Sequence, residues 1–308
     1  MTVSSNLDTF LNKRVVDYST KDGIQNPEQF VYRIRISYDD FDNGITVLTL
    51  FDDFVKGPKA ATVKEIIFGA FDYESSNSTE SIVNKLVEYK GILKNLKAIF
   101  IGDITYEENE ISWINQSNVG PVLEAYPELE HFQVRGGTDL SFGKIEHSNL
   151  KTLIIETGGM PPNVVTEVSN AHLPNLQRLD LWLGSDNYGF DSTIDDFASI
   201  ISGKSFPNLV HLGLMNSEMQ NEIAIAIAQS PILDQLGELD MSMGNMDDKG
   251  GEAILNSEGM KKLKSINLRH HYLSNDMMSK LSERFPDINL GEQEQADEDD
   301  DRYIEVSE

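Results

Sequence analysis

The chain runs to 308 residues with 51 Asp plus Glu against 25 Lys plus Arg, a formal net charge of −26, and no cysteine. Its length suits one large domain or two small ones, and a hydrophobic share of 39% is enough to build a core. Such acidity excludes nucleic acid as a direct partner and disfavours an anionic membrane surface, since both need Lys and Arg; the missing thiols exclude disulfides, thiolate nucleophiles and thiolate metal sites.

Met1 to Arg14 is polar and mixed, with no apolar leader segment. No stretch approaches the roughly 18 apolar residues of a membrane helix, so the expected setting is cytoplasmic. Residues before about Gln25 are polar and expected to be loosely ordered. Val31 to Tyr38 and Ile45 to Phe51 alternate apolar with polar residues, and Asp42-Asn43-Gly44 between them is a hairpin turn signal. Together they predict an N-terminal cap with a β-hairpin over residues 1–60.

A pattern then recurs: Leu, two variable residues, an apolar residue, one variable residue, another apolar residue. Copies start at Leu96, Leu129, Leu150, Leu176, Leu209, Leu236 and Leu263, with weaker ones at Val63 and Phe285. Their spacings run from 21 to 33 residues, with a mean of about 28, inside the leucine-rich-repeat range. Each copy makes a short strand with one buried face, and parallel stacking joins these faces into a common core. Between the strands, Val83, Leu86 and Val87 mark a helix, as do Ile194, Phe197, Ala198 and Ile201. The apolar run from Glu222 to Ala228 reads as a buried helix. Met277, Met278 and Leu281 mark another behind the caps Ser274 and Asn275. Pro127, Pro174 and Pro207 suit turns from helix into strand. The predicted fold class is α/β. It is a leucine-rich-repeat horseshoe over 61–290, with parallel strands on the concave face, helices on the convex face and the hairpin cap in front.

Residues 291–308 are expected to be an acidic, disordered tail. Positions 292–308 hold nine acidic groups and one Arg, a net of −8 that leaves −18 on the rest of the chain. Within them, Tyr303-Ile304-Glu305-Val306 has strand propensity and could dock on an edge of this chain or another.

Alternation also places the variable positions of each strand in the concavity. The binding residues predicted from it are Phe100, His131, Arg135, Glu156, Arg178, Asp180, Trp182, His211, Met215, Asp240 and Arg269. Trp182 is their centre, because aromatic and Arg anchors dominate interface energies. The competing reading is self-satisfaction: Arg135 pairs with Glu156, Arg178 pairs with Asp180 or Glu238, and a loop covers Trp182.

Signs of chemistry are few. Asp103, Glu107, Glu108 and Glu110 could offer oxygen ligands to Mg²⁺ or Ca²⁺. They lack the spacing and central Gly of a calcium loop, and an acidic surface loop is the simpler reading. His270 and His271 point to opposite faces of a strand, and His131 and His211 lie two strands apart, roughly 10 Å; neither pair makes a metal site. The turn Gly158-Gly159-Met160-Pro161-Pro162-Asn163 could offer amides to an anion, but a tight strand-to-helix turn capped by Asn163 is simpler. No phosphate loop, dinucleotide fingerprint, nucleophile elbow or His-Glu-x-x-His is present. No catalytic residue, metal or cofactor is predicted.

A family likeness rests on Gly102-Asp103-Ile104 through Glu110-Ile111-Ser112-Trp113-Ile114, on Val134-Arg135-Gly136-Gly137, on Glu156-Thr157-Gly158-Gly159 and on Leu181-Trp182-Leu183-Gly184. Leu212-Gly213-Leu214, Leu239-Asp240-Met241-Ser242-Met243-Gly244 and Leu268-Arg269-His270-His271-Tyr272 add to it. From about Phe30 to Tyr272 the chain resembles an uncharacterised bacterial family of cytoplasmic leucine-rich-repeat proteins with ribonuclease-inhibitor-like repeats. The resemblance implies the repeat fold and a cytoplasmic setting, and it brings no activity. The leading functional reading is a non-enzymatic protein–protein interaction module that binds a protein partner on the concave face. One alternative is an inhibitor or immunity-type protein that neutralises a basic enzyme, drawn in by the net charge. A second is a divalent-metal-dependent enzyme built on the 103–110 loop.

Overall fold

The computed structural model describes residues 3–308. Among these, twelve strands form one sheet in chain order. They are β1 Thr9–Phe10, β2 Lys13–Asp17, β3 Phe30–Ile34, β4 Glu65–Phe68, β5 Ala98–Ile101, β6 His131–Arg135, β7 Thr152–Glu156, β8 Arg178–Gly184, β9 His211–Ser217, β10 Glu238–Asp240, β11 Ser265–Asn267 and β12 Ile288–Asn289. The first two pair antiparallel, and every later neighbour is parallel. The helices α1 Tyr38–Asp42, α2 Val47–Lys56, α3 Glu80–Glu88, α4 Gly120–Ala125, α5 Pro162–Ser169, α6 Ala198–Ile201, α7 Gln220–Ala228, α8 Asp248–Asn256 and α9 Asn275–Arg284 lie in the connections. The result is an α/β fold with an open, mostly parallel sheet of the leucine-rich-repeat kind.

Strand register explains why these residues form one body. Val16, Tyr32, Ile66, Ile99, Phe132, Leu153, Leu179, Leu212, Leu239, Ile266 and Ile288 stand opposite one another from strand to strand. This column and the apolar sides of the helices make a single core. Full burial of such a side chain contributes about 1.5–3 kcal/mol, and each strand alone is too short to hide its own. The repeats starting at Leu96 through Leu263, and the weaker ones at Val63 and Phe285, supply β4 to β12.

The N-terminal hairpin predicted across Asp42-Asn43-Gly44 does not form. Val31 to Tyr38 does supply β3, but β3 pairs in parallel with β2 and β4, and the stretch from Val47 to Phe51 lies in α2. A longer period wins there: Val47, Phe51, Phe54 and Val55 recur at helical spacing and all are buried. Thr46 caps that helix by accepting from the Thr49 amide at 3.2 Å. Gly44, at φ +72°, ends the preceding helix. The antiparallel turn of the chain lies earlier, at Leu11 and Asn12, both at positive φ. Thr46→Ala is expected to cost about 1 kcal/mol of stability. Urea denaturation with an unchanged midpoint would remove the cap from this account.

Asn163 is not the cap of α5. It sits inside the helix and donates to the Leu140 carbonyl at 3.2 Å, while Pro161 takes the cap position and Pro162 the first turn, where no amide partner is needed. No helix among the described residues is long and apolar enough to cross a membrane.

Candidate functional site

The other side chains of each strand point away from the core, onto a helix-free face of the sheet. This is the face predicted to bind, and both ends of the chain lie on it.

Its first half is covered by the N-terminal residues. Leu7 and Phe10 pack with Val15, Val31, Ile67, Ala98 and Phe100 in a small apolar cluster separate from the main core. Phe100 is fully buried, with Phe10 stacked 6.4 Å away. The same Phe10 ring stands edge-on to His131 at 5.0 Å. Burial pushes the His131 imidazole down to about 4. Beside this cluster runs a row of charges. Asp17 accepts from Arg33 Nε at 2.7 Å, and Asp103 from Arg33 Nη1 at 2.7 Å. Glu156 accepts from Arg135 Nε at 2.6 Å and from Gln133 at 2.8 Å. Asp103 is wholly buried and also takes the Leu7 amide on both oxygens at 3.2 Å. Arg135 and Glu156 therefore satisfy each other, as the competing sequence reading has it.

The acidic 103–110 loop is drawn into the same row. Glu108 accepts from Arg35 Nη1 at 2.7 Å and from the Thr105 amide at 2.9 Å. Two of the loop's four carboxylates are thus engaged, Asp103 by Arg33 and Glu108 by Arg35. Among the described residues, no group of three or more His, Asp or Glu is placed to hold an ion.

The second half of the face is more open. Asp180 accepts from Arg178 Nη2 at 2.6 Å and from His211 Nε2 at 2.8 Å, and Glu238 faces His211 Nδ1 at 3.0 Å. Burial would raise the Asp180 carboxyl, but His211 and Arg178 outweigh it and hold it below the usual range. Burial would lower the His211 imidazole, but Asp180 and then Glu238 outweigh it and raise it. Asp240 accepts from the Ser242 hydroxyl at 2.6 Å and from Asn267 Nδ2 at 2.9 Å. Arg178 has a side chain 46% exposed, and Ile154, His211, Trp182 and Met215 are half-buried.

Trp182 and Met215 pack with Ile111, Met243, Val306 and Val3, so the two chain ends meet over the predicted centre of the site. Ile304, Glu305 and Val306 are buried. The Glu305 amide donates to the Met243 carbonyl at 2.9 Å. The Val306 amide donates to Asn216 Oδ1 at 2.9 Å, and Asn216 Nδ2 donates back to the Val306 carbonyl. Ser112 Oγ donates to the Ser307 carbonyl at 2.7 Å, and Arg269 pairs with Glu305. The segment read from sequence as a docking strand thus crosses the face of the sheet instead of extending an edge.

The structure brings Arg135 to Glu156, Arg178 and His211 to Asp180, Trp182 to Met215, and Arg269 to the C-terminal segment. It sets Phe100 and His131 under the N-terminal cover. Asn216, Met243 and Ser112 escaped sequence reasoning. Asn216 shares the parity of Leu212 and Leu214, which assigns it to the core. Its left-handed φ of +51° breaks that alternation. An Asn near the end of an alternating strand is the one signal that could have found it, since Asn tolerates that conformation.

No protein-family model matches the chain, and no curated protein matches it. A solved structure of a Bacteroides fragilis protein is similar, at 35% identity and a TM-score of 0.80, covering 89% of this chain and 76% of its own. An internalin from Listeria monocytogenes matches at 12% identity and a TM-score of 0.37, over 80% of this chain and 58% of its own, a likeness too slight to carry an argument.

Proposed function

We propose, from the premise that this chain belongs to the same family as the Bacteroides fragilis protein, that it is a non-enzymatic protein-interaction module of the cytoplasm, with its partner on the concave, helix-free face. The kinship supports the fold alone; the surface supports the function. The observation that carries the reading is the window between the two covers, where exposed Arg178 lies beside partly exposed Ile154, with Trp182 and Met215 at its border against the C-terminal segment. Arg and Trp with apolar neighbours are the residue types that dominate interface energies. The net charge of −26 would draw a basic protein fastest at low salt, which keeps the inhibitor reading as the second choice. The metal-enzyme reading is the weaker one, because two of the loop's four carboxylates, Asp103 and Glu108, are engaged by arginines.

The test is affinity capture from the native cell with the intact chain and with Arg178→Ala combined with Ile154→Ala. Neither residue bonds to the C-terminal segment. The partner's affinity is expected to fall by about 30-fold or more, as for a central anchor worth roughly 2 kcal/mol. A partner that holds both proteins equally would overturn the concave-face reading. Affinity that does not fall with added salt would remove the basic-partner version.

A further inference from the structure

The C-terminal segment is bound to the face as a ligand would be. Its contacts come from separate repeats: Ser112, Gly158, Asn216, Met243 and Arg269. Three consecutive residues, Glu305, Val306 and Ser307, are met through their main chain. The Asn216 amide both accepts from and donates to the same residue, Val306, which recognises a peptide backbone whatever side chain it carries. Selectivity comes from two side chains. Val306 enters the cluster of Ile111, Trp182, Met215 and Met243, and Glu305 meets Arg269. Bare backbone completes the seat: a Cβ on Gly158 would lie 2.4 Å from the Ser307 carbonyl oxygen.

The tether contrasts with the seat. Residues 297–301 are exposed and wholly acidic, and their hydrogen bonds and ion pairs run among themselves and to Arg302 and Tyr303. Nothing within 297–301 bonds to the sheet, and the anchoring begins at Arg302, which pairs with Asp247, and at Tyr303, whose amide donates to Tyr272 Oη at 2.8 Å.

We infer that this seat is a peptide-recognition site for a sequence of the apolar, acidic, β-branched kind. The chain's own Ile304-Glu305-Val306 is the resident occupant, and a protein partner carrying such a sequence displaces it. The inference rests on the concave-face reading and narrows it to a ligand class. A short tether supplies its own end at about millimolar effective concentration, so the resident occupant sets a threshold that a partner must exceed.

The test uses the full chain with Ile304→Asp and Val306→Asp, which empties the seat without shortening the protein. The probe is a fluorescein-labelled synthetic peptide of residues 302–308, followed by anisotropy. The emptied variant is expected to bind it at least about 10-fold more tightly than the parent. Peptides with Val→Asp at the 306 position or Glu→Lys at the 305 position are expected to lose about 10-fold or more. A folded variant that binds the peptide no better than the parent overturns the inference. If the variant does not fold, hydrogen exchange on the parent decides. The Glu305 and Val306 amides should exchange at least about 100-fold faster than those of Leu181 and Leu214, and equal rates overturn exchangeability. Loss of peptide binding while capture still depends on Arg178 and Ile154 sinks the peptide seat alone. Failure of both sinks the concave-face reading with it.

Discussion

Asp103→Ala is expected to lower the free energy of unfolding by about 3–5 kcal/mol, the range for removing one partner of a buried ion pair. The carboxylate has no exposure and accepts from Arg33 Nη1 at 2.7 Å, with Arg135 Nη1 at 3.8 Å on its other side. Without it, two guanidiniums that are 10% and 5% exposed face each other across a vacated site. Asp17 and Glu156 still reach their far sides, but nothing neutralises the gap between them. The Leu7 amide loses its acceptor as well, which loosens the N-terminal cover over Phe100 and His131, while Asn6 Nδ2 keeps its bond to the residue-103 main-chain carbonyl. Urea denaturation read by circular dichroism checks this. A loss under about 1 kcal/mol would put the pair on a par with an exposed surface bridge.

A second large effect is expected from acid. His131 titrates near 6.5 in the unfolded chain and at about 4 in the folded one. Between these values the unfolded state binds a proton that the folded state refuses. Stability due to this residue is therefore whole above pH 6.5 and is lost progressively as pH falls to 4, by about 3 kcal/mol in all. Other groups titrate in the same window. His211 acts with the opposite sign, because its folded value is raised; its contribution is present below 6.5 and fades as pH rises. His131→Gln isolates the first term. The difference in unfolding free energy between parent and variant should change by about 3 kcal/mol from pH 7 to pH 4. A flat difference would show that His131 is not sealed beneath Phe10.

The repeat core was legible because alternation is local. Leu179, Leu212 and Leu239 declare their buried side from the residues beside them, and nothing distant changes it. The hairpin was misread because the stretch from Ile45 to Phe51 carries two periods at once; Phe54 and Val55, just beyond it, decide for the helix. Parity also identified the helix-free face, and Arg135 with Glu156 and Arg178 with Asp180 pair as the residues suggest. What covers that face was not legible. Phe10 reaches Phe100, and Val306 reaches Trp182, through contacts that no local pattern encodes. Asn216 stayed hidden because its backbone conformation, and not its position in the repeat, points it at the peptide.

A stack of repeats in which each touches only its neighbours can peel open from either end, a few residues at a time. The bond from Ser112 to Ser307 joins residues 195 positions apart, and Val3 and Val306 share one apolar cluster. Fraying of the first strands therefore strips contacts from the last segment, and the converse holds too. While the segment is seated, the molecule is expected to unfold more sharply than an untied solenoid would. A partner that fills the seat with its own peptide would keep the contacts and cut the loop, so occupancy would be read out as a change in the sharpness of unfolding.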